Sequence, residues 1–227
     1  FIVSKPTFYG IGYSPWSYQA RWALSWHGID YNYQEYLPML GQVKLRAYLR
    51  QRGHATVPAM VAGNDKLRDS FEIAKWAEQN GNGADLKTST VEVGQWNQVA
   101  ESMKRLGRIR FANAIRHDAV ALKASMPPPL DKMPGASQAA KVGVQYILST
   151  YPIETTLEEI ENKTATHLAT VEAALEKQSF LLGEPSYADI AIASSLQFID
   201  PTTNHYIPMP SAGRKHWRCN ALCTKFP

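Results

Sequence analysis

The run Asn80-Gly81-Asn82-Gly83 separates two stretches of this chain with different hydrophobic rhythms. Ahead of it, short apolar runs alternate with amphipathic helical patterns. Beyond it, the pattern is almost wholly helical. Alternating Asn and Gly interrupt helices and strands alike, so the run reads as a linker. The implied fold is α/β plus all-α: residues 1–80, a linker over 81–90, and a helical domain over 91–227. A length of 227 residues suits one large domain or two small ones.

In the first stretch, Thr7–Tyr9 is β-prone and Pro15 stands where a helix would begin. Trp16, Ala20, Ala23 and Leu24 then recur at helical spacing, and Gly28 ends the helix. Tyr31–Leu37 alternates as a strand does, and Met39–Leu49 reads as a basic helix. Val57–Ala62 is a strand interrupted by Pro58, Asn64-Asp65 a turn, and Lys66–Arg68 a short strand. Ser70 is placed to cap a third helix reaching about Gln79. The order is βαβ, then ββα. In the second stretch, Trp96, Val99, Met103, Leu106 and Ile109 mark one long helix, and Leu157 through Leu175 mark another. The proline-rich residues 126–135 between them break helical structure, and a further helix follows Gly183-Glu184-Pro185.

Composition removes several function classes. Hydrophobic residues make up 44% and charged residues 19%, which excludes a disordered chain. The net charge of +4 is dispersed rather than striped, so nucleic acid is not expected as a partner. Cys219 and Cys223 are the only cysteines, too few for a disulfide framework, and no two histidines have metal-ligand spacing. No apolar run approaches the ~18 residues of a membrane helix, and the opening residues lack a signal-peptide core. The expectation is a soluble cytoplasmic protein without metal. The basic tail residues Arg214, Lys215, His216, Arg218 and Lys225 read as a solvated face.

Three motifs carry chemistry. The loop after the first strand, Tyr9-Gly10-Ile11-Gly12-Tyr13-Ser14-Pro15-Trp16-Ser17, lacks the third glycine of a dinucleotide fingerprint and the Lys-Ser/Thr of a phosphate loop. It does put the Ser14 hydroxyl at a helix N-terminus, where an anion such as a thiolate is stabilised. Ser14 could equally be an ordinary cap. Thr56-Val57-Pro58-Ala59 is either an edge strand or a cis turn that frees the Val57 backbone to pair with an extended, peptide-like ligand. Asp69-Ser70 is either a simple helix start or a clamp for the ammonium and carboxylate of an amino acid. Ser186-Tyr187-Ala188-Asp189 reads as a capping box with a structural Asp189.

Taken in order, these motifs resemble the cytosolic glutathione transferase superfamily, in the phrases SPWSYQARWAL, VPAMV, LRDSFEIAKWAE and FLLGEPSYADIAIASSLQFI. The likeness spans roughly residues 5–80 and 180–200, and points to a serine-type, bacterial-like subgroup. It implies a thioredoxin-like domain followed by helices, glutathione as co-substrate and a homodimer. Ser14 falls at the catalytic hydroxyl. Serine at both 14 and 17 excludes dithiol chemistry in this loop. Val57 matches the backbone clamp for the cysteinyl part, Pro58 the cis-proline, and Asp69 and Ser70 the γ-glutamyl clamp. Ser17 and Lys44 are assigned to glutathione as well, with His54 a second candidate for the glycyl carboxylate, because Thr56 stands where related chains carry Lys.

The implied activity is attack of a glutathione thiolate on a small hydrophobic electrophile, with peroxide reduction or ether cleavage as side activities. A free thiol titrates near ~8.5, so lowering it by about 2 units requires about 2.7 kcal/mol. A charge-assisted hydrogen bond of about 1.5–3 kcal/mol and a dipole contribution of up to about 1 kcal/mol suffice together. The resemblance puts the acceptor pocket between Tyr13, Trp16 and the first long helix, around Arg108, Phe111 and Ile115, with Pro127–Pro129 at its rim. The alternative is a catalytically weak ligand-binding or scaffold protein of the same fold.

Overall fold

The computed structural model describes residues 5–37, 40–126, 130–150 and 156–227. The chain packs as two compact units, Phe1–Gln98 with Ser179–Ser194, and Val99–Gln178 with Ser195–Pro227. Four strands come early: β1 (Thr7–Gly10), β2 (Asn32–Glu35), β3 (Ala59–Ala62) and β4 (Asp65–Leu67). Between and after them lie α1 (Pro15–Trp26), α2 (Gln42–Leu49) and α3 (Ser70–Asn80). The later helices are α4 (Val91–Ile115), α5 (Ala119–Ala124), α6 (Ala136–Thr150), α7 (Leu157–Leu175), α8 (Tyr187–Ser195), α9 (Ser211–Trp217) and α10 (Asn220–Lys225).

The first unit is organised by a mixed sheet in the order β2-β1-β3-β4. Its one parallel pair is β1 with β2, and β3 runs antiparallel to both β1 and β4. Side chains alternate between the faces of a strand. Phe8 and Met60, partners in register, join Ala20 and Leu24 of α1 and Ile73 and Ala77 of α3 in one core. Tyr9 and Ala59, the next pair along, pack with Leu45 and Leu49 of α2 in a second core. Helices thus cover both faces, the expected thioredoxin-like layering, and a helical domain follows.

Boundaries shift from the sequence reading for local reasons. β3 starts at Ala59 because Pro58 has no N–H to offer a neighbouring strand. The hairpin turn is Gly63-Asn64, one residue earlier than expected, because Gly63 takes a left-handed φ of +59°. β4 moves back with it. The expected helix start at Met39 lies outside the described residues, and α2 begins at Gln42. Proline-rich residues 127–129 also lie outside them, while Leu130–Lys132 makes a single 3-10 turn in a stretch expected to hold none.

After α3 the chain folds tightly back on the end of α1. A Cβ added at Gly81 would lie 2.3 Å from the His27 carbonyl oxygen, and one at Gly83 would lie 2.2 Å from that of Trp26. The Asn82 N–H donates to that His27 oxygen at 3.0 Å, and the Trp26 indole donates to the Ala84 carbonyl at 2.9 Å. The Glu78 carboxylate then accepts from the backbone of Leu86 at 2.7 Å and Thr88 at 3.2 Å. Asp189 accepts from the N–H and hydroxyl of Ser186, both at 2.9 Å, and from Leu181 N–H at 2.8 Å. It is a structural cap. Buried Tyr187 stacks on Phe71 with centroids 5.1 Å apart and accepts from the Gln19 amide at 2.6 Å, tying α1, α3 and α8.

In the second unit, Ala112, Ile115, Leu122, Ala140 and Val144 form one core, and Leu106, Ile109 and Ile160 another. The Arg110 guanidinium donates to the carbonyls of Phe198, at 2.6 Å, and Trp217, while those two rings stack at 4.4 Å. The tail is not simply a solvated face. Arg214 donates to the carbonyls of Pro201 at 3.1 Å and Ile207 at 3.3 Å, satisfying loop acceptors that lack helical partners. Asp118 caps α5 through one oxygen, which accepts from Val120 and Ala121 N–H. Its other oxygen meets Lys215 Nζ at 2.7 Å and His216 Nε2 at 2.9 Å.

Hydrogen bonds from Lys215, from the Ala121 N–H and from His216 hold the Asp118 carboxyl well below the usual carboxylate range. A lowered folded-state pKa stabilises the fold above the unfolded value of about 3.9 and loses that effect as pH falls. Asp118→Asn should therefore lower Tm at pH 7, and the gap to the parent should narrow as pH drops below about 4. Thermal denaturation across pH checks this; a gap independent of pH would show that the charge contributes nothing.

Candidate functional site

The three motifs leave the sheet at one end. Tyr9 pairs with Ala59, so continuing the antiparallel ladder brings Pro58 and Val57 alongside the residues that follow β1. Leu67 pairs with Met60, so Arg68 and Asp69 emerge beside Ala59 and Pro58. Strand register thus sets the Val57–Pro58 segment beside the loop that follows β1 and the Arg68–Asp69 segment beside Pro58.

The loop carrying Ser14 is fixed from within. Ser17 is fully buried, and its oxygen accepts from Ile11 N–H at 3.1 Å. Its hydroxyl is thus turned into the loop it braces. Ser14 N–H donates to the Ile11 carbonyl at 3.0 Å. On the outer side Glu35 accepts from Gly12 N–H at 3.3 Å and from the Tyr33 hydroxyl at 2.5 Å. Ser14 itself is half-buried, with extended backbone at the N-cap of α1.

Its side chain makes no capping bond, and the first turn of α1 holds no acidic residue. The reading of Ser14 as a side-chain cap therefore falls. Among the described residues the Ser14 hydroxyl takes no partner, and it stands at the positive end of a helix, an arrangement that stabilises an anion. Tyr13, next to it, is pushed up to about 12 by burial and by the Glu35 carboxylate, so its phenol stays neutral. Trp16 lies half-buried in the first turn of α1. Tyr9 belongs to the core against Tyr48, with centroids 5.1 Å apart.

The Val57–Pro58 bond is cis. Neither the N–H nor the C=O of Val57 takes a partner among the described residues. The segment before it is held by Gln42, which sequence reasoning missed. Its amide donates to the carbonyl of Ala55 at 2.6 Å and accepts from the N–H of Ala55 at 3.2 Å. It also donates to the Tyr36 hydroxyl at 2.7 Å. A polar residue at the start of a helix gives no sequence signal of such a contact. Lys44 is exposed on α2, its ammonium 5.8 Å from the Tyr48 ring centroid, and His54 is exposed in the following loop.

At α3 the cap is Asp69, not Ser70. One Asp69 oxygen accepts from the N–H groups of Phe71 and Glu72, both at 2.8 Å, as an Asx side chain does at this position. Ser70 becomes the first helical residue and is buried. Glu72 reaches back to Arg68 N–H at 2.7 Å. Asp69 thus occupies two donors of the α3 N-terminus, and its second oxygen takes no partner among the described residues.

Of the residues expected around an acceptor, Tyr13 and Trp16 belong to the first unit and Arg108, Phe111 and Ile115 to the helical one. Arg108 is half-buried on α4, Ile115 is in the core, and Phe111 packs on Trp217 at 5.0 Å. Pro127–Pro129 lie outside the described residues.

Residues 8–85 match the family model for the glutathione S-transferase N-terminal domain. No curated protein matches the chain. Among solved structures, a glutathione transferase of Phanerochaete chrysosporium is 18% identical with a TM-score of 0.57, covering 86% of this chain and 84% of its own. A glutathione S-transferase of Ceriporiopsis subvermispora, solved in complex with glutathione, is 14% identical with a TM-score of 0.56, covering 98% and 96%. A beta-etherase of Sphingobium sp. strain SYK-6 is 20% identical with a TM-score of 0.57, covering 94% and 93%. At these identities the likeness is one of fold. Residues 8–85 are thus similar to a glutathione S-transferase N-terminal domain, and the chain has the fold of these solved glutathione transferases.

Proposed function

We propose that this protein is a glutathione transferase in which Ser14 activates the thiol. The observation that carries the reading is the uncommitted Ser14 hydroxyl at a helix start free of acidic residues. The hydroxyl donates to the sulfur, and α1 adds its field. The thiol proton leaves to solvent. The thiolate then attacks an electrophilic carbon of a small hydrophobic substrate, and the leaving group departs with the electron pair.

The open backbone of Val57 pairs with the cysteinyl residue of glutathione. Ser70 takes the γ-glutamyl carboxylate, and the second oxygen of Asp69 takes the ammonium. Ser17, Glu35 and Gln42 act as positioning residues, since each braces a segment that bears a contact. The same reading extends to a homodimer working in the cytoplasm.

Two variant sets test it. Ser14→Ala should lower kcat for conjugation of a chlorodinitrobenzene by at least about tenfold, the effect of losing one charge-assisted hydrogen bond in the transition state. Ultraviolet titration of bound glutathione should show its thiol pKa rising toward about 8.5 in that variant. A thiol that titrates normally in the parent would overturn the assignment. Ligand binding indifferent to glutathione would favour a binding protein.

Asp69→Ala should destabilise by about 1 kcal/mol through loss of the α3 cap. Asp69→Asn should keep the cap and the Tm while raising KM for glutathione several-fold. Equal KM values for Asp69→Asn and the parent would remove Asp69 from the site.

A further inference from the structure

We infer that Asn82 is a self-modifying site: the Gly83 backbone nitrogen displaces its side-chain amide, leaving aspartate or isoaspartate in the tight junction after α3. Two Asn-Gly steps, Asn80-Gly81 and Asn82-Gly83, stand side by side in the sequence. A following glycine favours the reaction, because no side chain shields the attacking nitrogen and the backbone turns easily. The structure tells the two steps apart. Asn80 is the last residue of α3. Gly81 N–H donates to the Ala77 carbonyl at 2.8 Å, and the Asn80 amide donates to the Trp76 carbonyl at 2.8 Å. Nucleophile and electrophile are both tied there. At the second step neither is: the Gly83 N–H and the Asn82 carboxamide take no hydrogen bond among the described residues. Asn82 is exposed and lies outside helix and strand.

Only water is needed besides the chain. The Gly83 nitrogen gives its proton to solvent and bonds to Asn82 Cγ. The Cγ–Nδ2 bond breaks, and ammonia leaves with that electron pair and a proton. Water then opens the succinimide at either carbonyl. Opening at the side-chain carbonyl leaves aspartate, a new charge on an unchanged backbone. Opening at the main-chain carbonyl leaves isoaspartate, with the chain rerouted through the side chain and one carbon longer. That carbon falls where the backbone has no slack. The Asn82 N–H holds the His27 carbonyl at 3.0 Å, and a Cβ at Gly83 would lie 2.2 Å from the Trp26 carbonyl oxygen. Isoaspartate therefore loosens the junction between α1 and α3. These residues share one compact unit, and none belongs to the glutathione motifs, so the inference stands or falls apart from that reading.

Prolonged incubation of the full chain in water enriched in heavy oxygen tests it. Tryptic digestion then follows in ordinary water at mildly acidic pH, so that conversion during handling stays unlabelled. The peptide of residues 76–87 should lose ammonia and gain one heavy oxygen, which fragment masses place at residue 82. Asn80 should convert at least about tenfold more slowly, because two hydrogen bonds must break first. In the urea-unfolded chain the two sites should convert at similar rates. The folded rate should rise with pH, since the attacking nitrogen must lose its proton. Asn82→Gln should abolish labelling at residue 82 with Tm unchanged, and Asn80→Gln should leave that labelling intact. Asn82→Asp should melt as the parent does, whereas aged protein enriched in isoaspartate should melt lower. Labelling first at Asn80, equal folded rates, no labelling at either site, or an isoaspartyl form as stable as the parent would each overturn the proposal.

Discussion

The pairing of β1 with β3 is the contact on which everything else in the first unit depends. Its register sets Phe8 against Met60 on one face and Tyr9 against Ala59 on the other. That choice assigns α1 and α3 to one side of the sheet and α2 to the other. It also decides which loops meet at the sheet's end. A slip of one residue would exchange the faces and bury Val61 where Met60 belongs. The site therefore exists because a hydrophobic alternation is satisfied several residues away from it.

Around Ser14 the polar groups divide their work. Ser17, Glu35 and the Ile11 carbonyl satisfy the loop's own backbone. Nothing in the loop consumes the Ser14 side chain. The neighbouring tyrosine is held neutral by burial and by a carboxylate. At α3 the arrangement is reversed: Asp69 is used by its own helix, which narrows what that terminus offers a ligand. The two helix starts thus have different electrostatic character, one without an acidic residue and the other partly neutralised.

Much of this was legible in the sequence. Pro15 and Gly28 bracket α1 because proline fixes φ at a helix start and glycine admits the left-handed φ of +65° that ends one, whatever surrounds them. The cis Val57–Pro58 bond was one of two readings of a proline opening a strand. The exchange of roles between Asp69 and Ser70 was not legible, since adjacent Asp and Ser both cap helices well and only the chain's exit angle from β4 decides. Gln42 escaped for a different reason: its partner is the backbone of Ala55, and main-chain partners leave no mark in side-chain patterns. Of the tail cations, Lys215, Arg218 and Lys225 are exposed as read, whereas Arg214 and His216 are half-buried because their partners are loop carbonyls and an aspartate far away along the chain.

The glycines after α3 press against the carbonyls that close α1 without room for even a methyl group. The junction is therefore keyed to the first helix and cannot be treated as a neutral seam. A chimera that exchanged everything after residue 83 for another helical region would keep this fit. One cut a few residues earlier would import a foreign linker onto a surface shaped for bare backbone. The natural place to recombine this protein lies downstream of the point where its sequence changes character.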